Sequence, residues 1–533
     1  MTQISVTPPR AGRREWIGLA VLALACLIYV MDLTVLHLAV PAMSADLQPT
    51  SAQLLWIIDI YGFMVAGWLV TMGTLGDRVG RRKLLFMGAG AFGVLSLFAA
   101  FAVSAEMLIL SRALLGIAGA TLAPSTLSLI FTMFQDPGQR SRAIAIWISA
   151  FSAGSAIGPL LGGLMLEFFW WGSVFLLALP VIALLLILGP FTLPEYKDPN
   201  AGRLDLLSVG MSLVAVLSLI FGLKQVAQDG FGLVPAASIV IGLTVGALFV
   251  RRQLTLADPM IDVRLFRIPS FSASLVVNFL TIFVAIGYFL FVAQYLQLVL
   301  GLSPLEAGMW SVPSAIAFIV GSNAAPRLLR YVRPAFLIGA ALGVAAVGLG
   351  LLSRVGVAGS DGLAIVVASS VIISLGLAPV FGLTTELVVG SAPPERAGAA
   401  SGVSESAFEL GGALGISLLG SIGIAIYRRD VGQALPAGIP ADAAAAARDT
   451  LGGAVGVAQA LPAQLGQTVL AVAQDAFVAG MQVAAALSGV IAIGVALLAV
   501  AVLRDVRPGT HQPEPADDER QSGRAEPAIA EPC

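Results

Sequence analysis

Charge is scarce in this chain. Only 11% of its 533 residues are Asp, Glu, Lys or Arg, and 58% are hydrophobic, against roughly 25% charged residues in a soluble domain. That balance excludes fibrous, disordered and water-soluble classes and leaves a polytopic membrane protein. The formal net charge of −2 identifies no partner, and no nucleic acid is expected. Cysteine is nearly absent: Cys26 lies in the first apolar run and Cys533 is the last residue, which excludes a disulfide framework. With 2 histidines and no Cys/His cluster there is no ligand set for a metal; His511, alone in a polar tail, is expected to have no role. Lysine occurs only as Lys83, Lys197 and Lys224, preceded by Arg82, Tyr196 and Leu223. The Gly-Lys-Ser/Thr loop of ATP-driven pumps is therefore missing. The chain does not read as an enzyme, and no cofactor is expected. Any work such a membrane protein does across the bilayer would have to draw on an ion gradient or the substrate's own gradient.

Long apolar runs are abundant. A bilayer core needs about 20 apolar residues per helix. Fourteen candidate spans cover roughly 16–40, 54–75, 84–103, 107–132, 142–166, 173–193, 206–226, 233–250, 271–299, 304–326, 335–353, 362–386, 397–427 and 475–503. The first is too long for the core of a cleavable signal peptide and reads as a retained helix. With the N-terminus inside, 23 of the 29 Lys and Arg residues fall in inner segments and 5 in outer ones, Arg112 lying within a span. Both termini are thus expected in the cytoplasm.

The loop after the second span reads Gly73-Thr-Leu-Gly-Asp-Arg-Val-Gly-Arg-Arg-Lys83. The loop after the tenth repeats the basic pattern with Arg327, Arg330 and Arg333 but carries no acid. Parallel six-helix repeats are one transporter architecture. The expected fold is an all-α membrane protein of 14 transmembrane helices. An inner tail, 1–15, precedes a six-helix bundle, 16–193. Two extra helices (about 206–226 and 233–250) with their linkers fill 194–270. A second six-helix bundle, 271–503, includes the outer loop 428–474, expected as a surface hairpin or short amphipathic helices. The polar tail 504–533 is expected to be disordered.

One carboxylate stands where a bilayer disfavours it. Asp32 lies well inside the first run, in Met31-Asp-Leu-Thr-Val-Leu-His-Leu-Ala-Val-Pro41. An acid at bilayer depth costs about 2.5–3.5 kcal/mol on insertion scales, so such residues usually serve an ion or substrate pathway. Asp59, Glu405 and Glu409 lie inside other spans, Glu386 lies near an inner end, and Arg112 is the lone buried cation.

Four motifs in order carry a resemblance. The loop Gly73 to Lys83 resembles the cytoplasmic loop signature of the major facilitator superfamily. Leu108-Ile-Leu-Ser-Arg-Ala-Leu-Leu-Gly-Ile-Ala-Gly-Ala120 is similar to its fourth-helix signature, with Arg112 in the arginine position. Gly154-Ser-Ala-Ile-Gly-Pro-Leu-Leu-Gly-Gly163 resembles the antiporter signature, and Met31 to Pro41 the first-helix signature of the fourteen-helix drug:proton antiporter branch. Leu55 to Tyr61, Asp258 to Phe266 and Val403 to Gly411 resemble the quaternary ammonium compound efflux pumps of that branch. Similarity runs from about Trp16 to Leu503. The resemblance implies export of lipophilic organic cations (biocides, dyes, antiseptics) in exchange for protons. It also implies a bacterial inner-membrane location and a monomer whose partners are lipids, such cations and protons. The alternative is an exporter of one endogenous antibiotic or metabolite. Some relatives carry a further acid in the tenth helix; here Ser314 to Ala325 has none and places Phe318 and Asn323 there, which leaves divalent cations outside what the resemblance implies.

A lipophilic cation needs a counter-charge in an apolar cavity, where Coulomb attraction is strong. A proton can occupy the same carboxylate, and that competition is an exchange mechanism. Asp32 is the first choice for this role; the other reading is a structural hydrogen bond to Thr34 or a neighbouring helix. Glu405 and Glu409, four apart, share one helix face, and two like charges so close resist ionising together. Of the two, Glu405 matches the family motif. Asp59 would guard the outer vestibule or sit as an interfacial acid. Arg112 would pair with Asp32 or with backbone carbonyls. Cation–π surfaces or packing are the alternatives for Trp56, Tyr61, Trp147, Tyr288, Trp310 and Phe408. Gly73, Gly76, Asp77, Arg78, Gly80 and Arg81 read as an inner gate or as positive-inside anchoring, with Asp77 capping the helix that follows and available to a basic residue from another segment. Gly154, Gly158, Gly162 and Gly163 allow close helix approach, and Pro159 bends the helix; a role in sealing rests on the resemblance.

Overall fold

A computed structural model describes residues 10–49, 51–197, 204–256, 259–357, 361–393, 396–436 and 438–504. The expectations for Asp258, for His511 and Cys533 in the tail, and for the side chains of Thr34 and Pro159 fall outside what is described. The described residues form helices and no strands. They are α1 (Arg13–Leu47), α2 (Ser51–Val79), α3 (Arg81–Ala100), α4 (Ala105–Gly119), α5 (Leu122–Met133), α6 (Pro137–Phe168), α7 (Ala178–Thr192), α8 (Leu206–Asp229), α9 (Leu233–Thr255), α10 (Pro269–Gln294), α11 (Pro304–Leu328), α12 (Pro334–Leu352), α13 (Asp361–Gly390), α14 (Ala397–Ala434), α15 (Ala441–Asp449), α16 (Leu451–Ala460) and α17 (Ala463–Leu503).

Local chemistry sets many of the boundaries. Ser104 accepts from the Met107 amide at the start of α4, and Asp136 accepts from Gln139 ahead of Pro137 at the start of α6. Ser303 and Glu306 form a reciprocal capping box on α11. Between α2 and α3 the chain breaks at Gly80, whose φ of 117° suits a residue without a Cβ. The fourth expected span, 107–132, is two helices: α4 ends at Gly119 and α5 begins at Leu122. The segment 428–474, expected on the outer side, contains the short helices α15 and α16.

Twelve stretches among the described residues are long and apolar enough to cross a membrane, so this is a multi-pass membrane protein. They do not include the fifth and tenth expected spans, which correspond to α6, 32 residues long, and α11, 25 residues long and interrupted by Pro313 and Pro326.

Packing draws the helices into two groups. In the first, α1 lies on α6 and α7, and α2 on α4; in the second, α10 lies on α14 and α17, and α12 on α13 and α17. The groups meet where α2 and α5 touch α14, and where α6 touches α11 and α13. The pair α8–α9 packs on itself, and α8 also lies on both α2 and α14. The start of α1 and the end of α17 share the arginine-rich end of the bundle. There the Ala11 amide donates to Gln139 Oε1 at 2.7 Å, and Arg333 donates to the Arg504 carbonyl at 3.3 Å.

Candidate functional site

Asp32 is paired. Its Oδ2 lies 2.7 Å from Arg112 Nη1, and the two side chains are 7% and 1% exposed. Arg112 Nε also donates to the Ile57 carbonyl of α2 at 3.2 Å, and the guanidinium lies over the Tyr61 ring, 4.7 Å from its centroid. The approach of α4 to α2 depends on Gly116, where an added Cβ would lie 2.5 Å from the Tyr61 carbonyl oxygen. The buried arginine therefore meets a carboxylate, a carbonyl and a ring face, and the pair is neutral as a unit.

Across the seam, α14 presents Glu405 and Glu409. Glu405 is half-buried, with no ion pair or hydrogen bond among the described residues. Tyr29 of α1 lies within electrostatic reach of both glutamates, and Tyr61 within reach of Asp32, Arg112 and Glu409. The acids expected from α1 and α14 thus share one interior neighbourhood. Aromatic rings flank it from both groups: Trp147 and Phe151 at 4.6 Å and Tyr29 and Phe151 at 6.2 Å in one, Phe318 and Phe381 at 6.2 Å and Phe381 and Phe408 at 5.8 Å in the other. The Trp147 indole N–H is spent on Thr126 Oγ1 at 3.0 Å.

Toward the arginine-rich end the two groups close on each other. Asp77 does not cap α3, whose N-cap is Gly80 with no side-chain bond. Its oxygens instead accept from the Gly398 amide at 3.1 Å and the Ala399 amide at 3.0 Å, in the first turn of α14. Those amides are orphan donors at the positive end of a helix, so a carboxylate suits them. The basic partner of Asp77 is Arg81 of the same loop, at 2.9 Å, which also donates to the Ser128 carbonyl and Thr132. An added Cβ on Gly73 would lie 2.3 Å from the Gly398 carbonyl oxygen, whereas one on Gly76 meets nothing nearer than Leu84 at 3.4 Å. Arg78 is half-buried at the end of α2. Further contacts continue the seam: Ser128 with Ser401 at 3.5 Å, Ser149 with Ser322 at 2.8 Å, and Asn323 donating to Ser149 at 2.9 Å. On the other flank the Ser141 hydroxyl lies 2.7 Å from both oxygens of Glu386, with Arg140 Nε at 3.9 Å.

The remaining expected residues fall in varied places. Asp59 is half-buried on α2, two positions from Ile57. Trp56 and Trp310 are each 44% exposed, and Trp56 lies beside Phe63. Tyr288 is buried in α10 next to Phe289. Gly154 sets α6 against α1, since an added Cβ would lie 2.6 Å from the Leu27 carbonyl oxygen. Gly158 and Gly162 are buried, but Gly163 has nothing within 4 Å. Sequence reasoning passed over Tyr29, Phe151, Phe381 and Ser141 and gave Glu386 no task. Phe151 carried a signal, being one turn from Trp147 on the same face; Ser141 carried none.

Comparison with known proteins bears on the family and the fold. The Major Facilitator Superfamily profile matches residues 22–416. Multidrug efflux pump LfrA of Mycolicibacterium smegmatis is 44% identical over 459 residues, covering 86% of this chain and 90% of that protein. Methyl viologen resistance protein SmvA of Salmonella typhimurium is 36% identical, covering 84% and 89%. Among solved structures, the human organic anion transporter MFSD10 superposes with a TM-score of 0.57 at 16% identity, covering 90% of this chain and 99% of that one; that likeness speaks to the fold alone.

Proposed function

The chain belongs to the Major Facilitator Superfamily, and on that footing we propose that it is a proton-coupled multidrug exporter of lipophilic organic cations, including quaternary ammonium compounds. The observation that carries the reading is the contrast between its two central acids. Asp32 is already neutralised by Arg112, and a cation binding there would have to displace a permanent charge; breaking a buried pair costs about 3–5 kcal/mol. Glu405 has no such competitor among the described residues, and Tyr29, within its electrostatic reach, belongs to an aromatic group that can hold an apolar cation. We therefore assign the exchange to Glu405, with Glu409 one turn further on, although Asp32 ranks first on sequence alone. A proton and a cation compete for one carboxylate, so protonation from one side releases the cation on that side.

The same reading takes α6 and α11 as spans, giving fourteen in a monomer with two six-helix bundles. It places the protein in a bacterial inner membrane with the arginine-rich end in the cytoplasm. The α2–α14 and α6–α13 contacts are then the closed inner gate. The test is ethidium transport into everted vesicles across an imposed pH gradient. Glu405→Gln is expected to abolish the pH-dependent component at normal expression. Wild-type transport by that variant would remove Glu405 from the mechanism. A wild-type protein that moves no lipophilic cation in response to pH would favour the exporter of a single metabolite.

A further inference from the structure

Two consecutive carbonyls in the segment after α9 are held by opposite sides of the α2–α14 seam. The Pro259 carbonyl accepts from Arg396 Nη1 at 2.7 Å, at the residue that precedes α14. The Met260 carbonyl accepts from Thr74 of α2 at 3.2 Å, a hydroxyl whose proton is shared with the Val70 carbonyl at 2.9 Å. Side chains repeat the pattern. Met260, 1% exposed, packs among Val70 of α2, Val209 of α8 and Phe249 of α9. Ile261 touches that cluster and also the one built from Val388 of α13 and Ala400 and Val403 of α14.

What fixes this segment is Gln253 near the end of α9, itself 2% exposed. Its Oε1 accepts from the amides of Met260 at 2.7 Å and Ile261 at 3.4 Å, and its Nε2 donates to Ser208 of α8 at 2.7 Å. Ser208 in turn donates to Asp205 Oδ2 at 2.6 Å, and Asp205 receives two bonds from Arg252 at 2.7 and 3.1 Å. The Arg252 bonds first, and Ser208 second, hold the Asp205 carboxyl well below the usual carboxylate range. Nearer mid-helix, Ile220 and Phe221 of α8 pack with Phe63 and Ala66 of α2 and with Leu410 and Ala413 of α14.

We propose that the inserted pair α8–α9 is a clamp on the inner gate, with Gln253 positioning residues 259–261 as a strap across the α2–α14 seam. Separating α2 from α14 forces the strap to release one side. Because the strap is fixed to a third body lying along both helices, that release is opposed. Gln253 touches no part of the proposed cation site; it acts through the strap. The inference rests on the gate reading above and not on any substrate.

The experiment uses the full chain in membranes without substrate, with Cys26 and Cys533 replaced by serine and cysteines placed at Ser128 and Ser401, which face each other across the seam. Copper–phenanthroline then measures how often the gate is shut. Gln253→Leu is expected to slow cross-linking measurably, by up to about tenfold for a shift of ~1.4 kcal/mol in the gate equilibrium. Ile261→Ala is expected to act in the same direction, and stands in if Gln253→Leu does not reach the membrane. Wild-type cross-linking in both variants would overturn the clamp. So would a lowered melting temperature with unchanged cross-linking, since Gln253 would then be packing support alone. Cross-linking needs no transport, so the clamp can be tested even in a protein that exports no tested cation.

Discussion

Gly73 and Gly76 occupy one motif, three residues apart, yet alanine at the two should behave oppositely. A Cβ on Gly73 would sit 2.3 Å from the Gly398 carbonyl oxygen; one on Gly76 would sit 3.4 Å from a flexible leucine methyl. Relieving the first contact to an ordinary separation means moving α14 away by about 1 Å, because backbone cannot rotate aside as a side-chain tip can. The same shift stretches the Asp77 bonds to Gly398 and Ala399, now 3.1 and 3.0 Å, beyond hydrogen-bond range. Two charge-assisted bonds are worth about 1.5–3 kcal/mol each. Water recovers part of that once the seam opens, leaving a net ~1.4–3 kcal/mol, or roughly ten- to hundredfold in the gate equilibrium. The assay is labelling of Ser401→Cys by a membrane-impermeant maleimide in everted vesicles, in a background lacking Cys26 and Cys533. Ser401 is fully buried in the closed gate. Gly73→Ala should label at least about tenfold faster than the parent, and Gly76→Ala at the parent rate. Equal labelling of the two variants, fast or slow, would refute the reasoning.

Two further outcomes follow from the central geometry. Arg112→Leu strands the Asp32 carboxylate in a buried site, so it should cost about 3–5 kcal/mol of stability. Asp32→Asn combined with Arg112→Leu should regain a large part, read as detergent melting temperatures; a double variant no more stable than Arg112→Leu would show that the pair is not coupled. Within the Gly154–Gly163 motif of α6, Gly154→Ala should cost about 1–3 kcal/mol by overpacking against Leu27, whereas Gly163→Ala, in open space, should be neutral; expression and melting temperature of the two variants check this.

The chemistry of individual residues was legible in the sequence to the extent that depth in an apolar run is legible. Asp32, Arg112, Glu405 and Glu409 announced themselves as charges where a bilayer resists charge, and all four lie within electrostatic reach of Tyr29 or Tyr61. Partnership was less legible. Asp77 reads locally as the cap of the next helix, but its acceptor geometry is satisfied 321 residues later, a distance no short-range rule can see. Aromatic type does not fix direction, so Trp56 and Trp310 looked equivalent to Trp147, although both are 44% exposed and Trp147 is 2%. The break at Ala120 and Thr121 was hidden because apolarity runs through it unchanged. Gln253 had no signal at all: a lone amide near a helix end is ordinary until the chain folds back upon it.

The first turn of α14 is finished by another helix. Arg396 precedes it without a side-chain cap of its own, and the amides of Gly398 and Ala399 are completed by Asp77. Withdrawal of α2 would therefore bare two peptide groups at a helix end and invite that turn to fray, so deuterium uptake at residues 397–400 becomes a spectator of each transport cycle. Opening, on this view, is partly a small melting event, and the sharpness of the switch is lent by the cooperativity of a helix end.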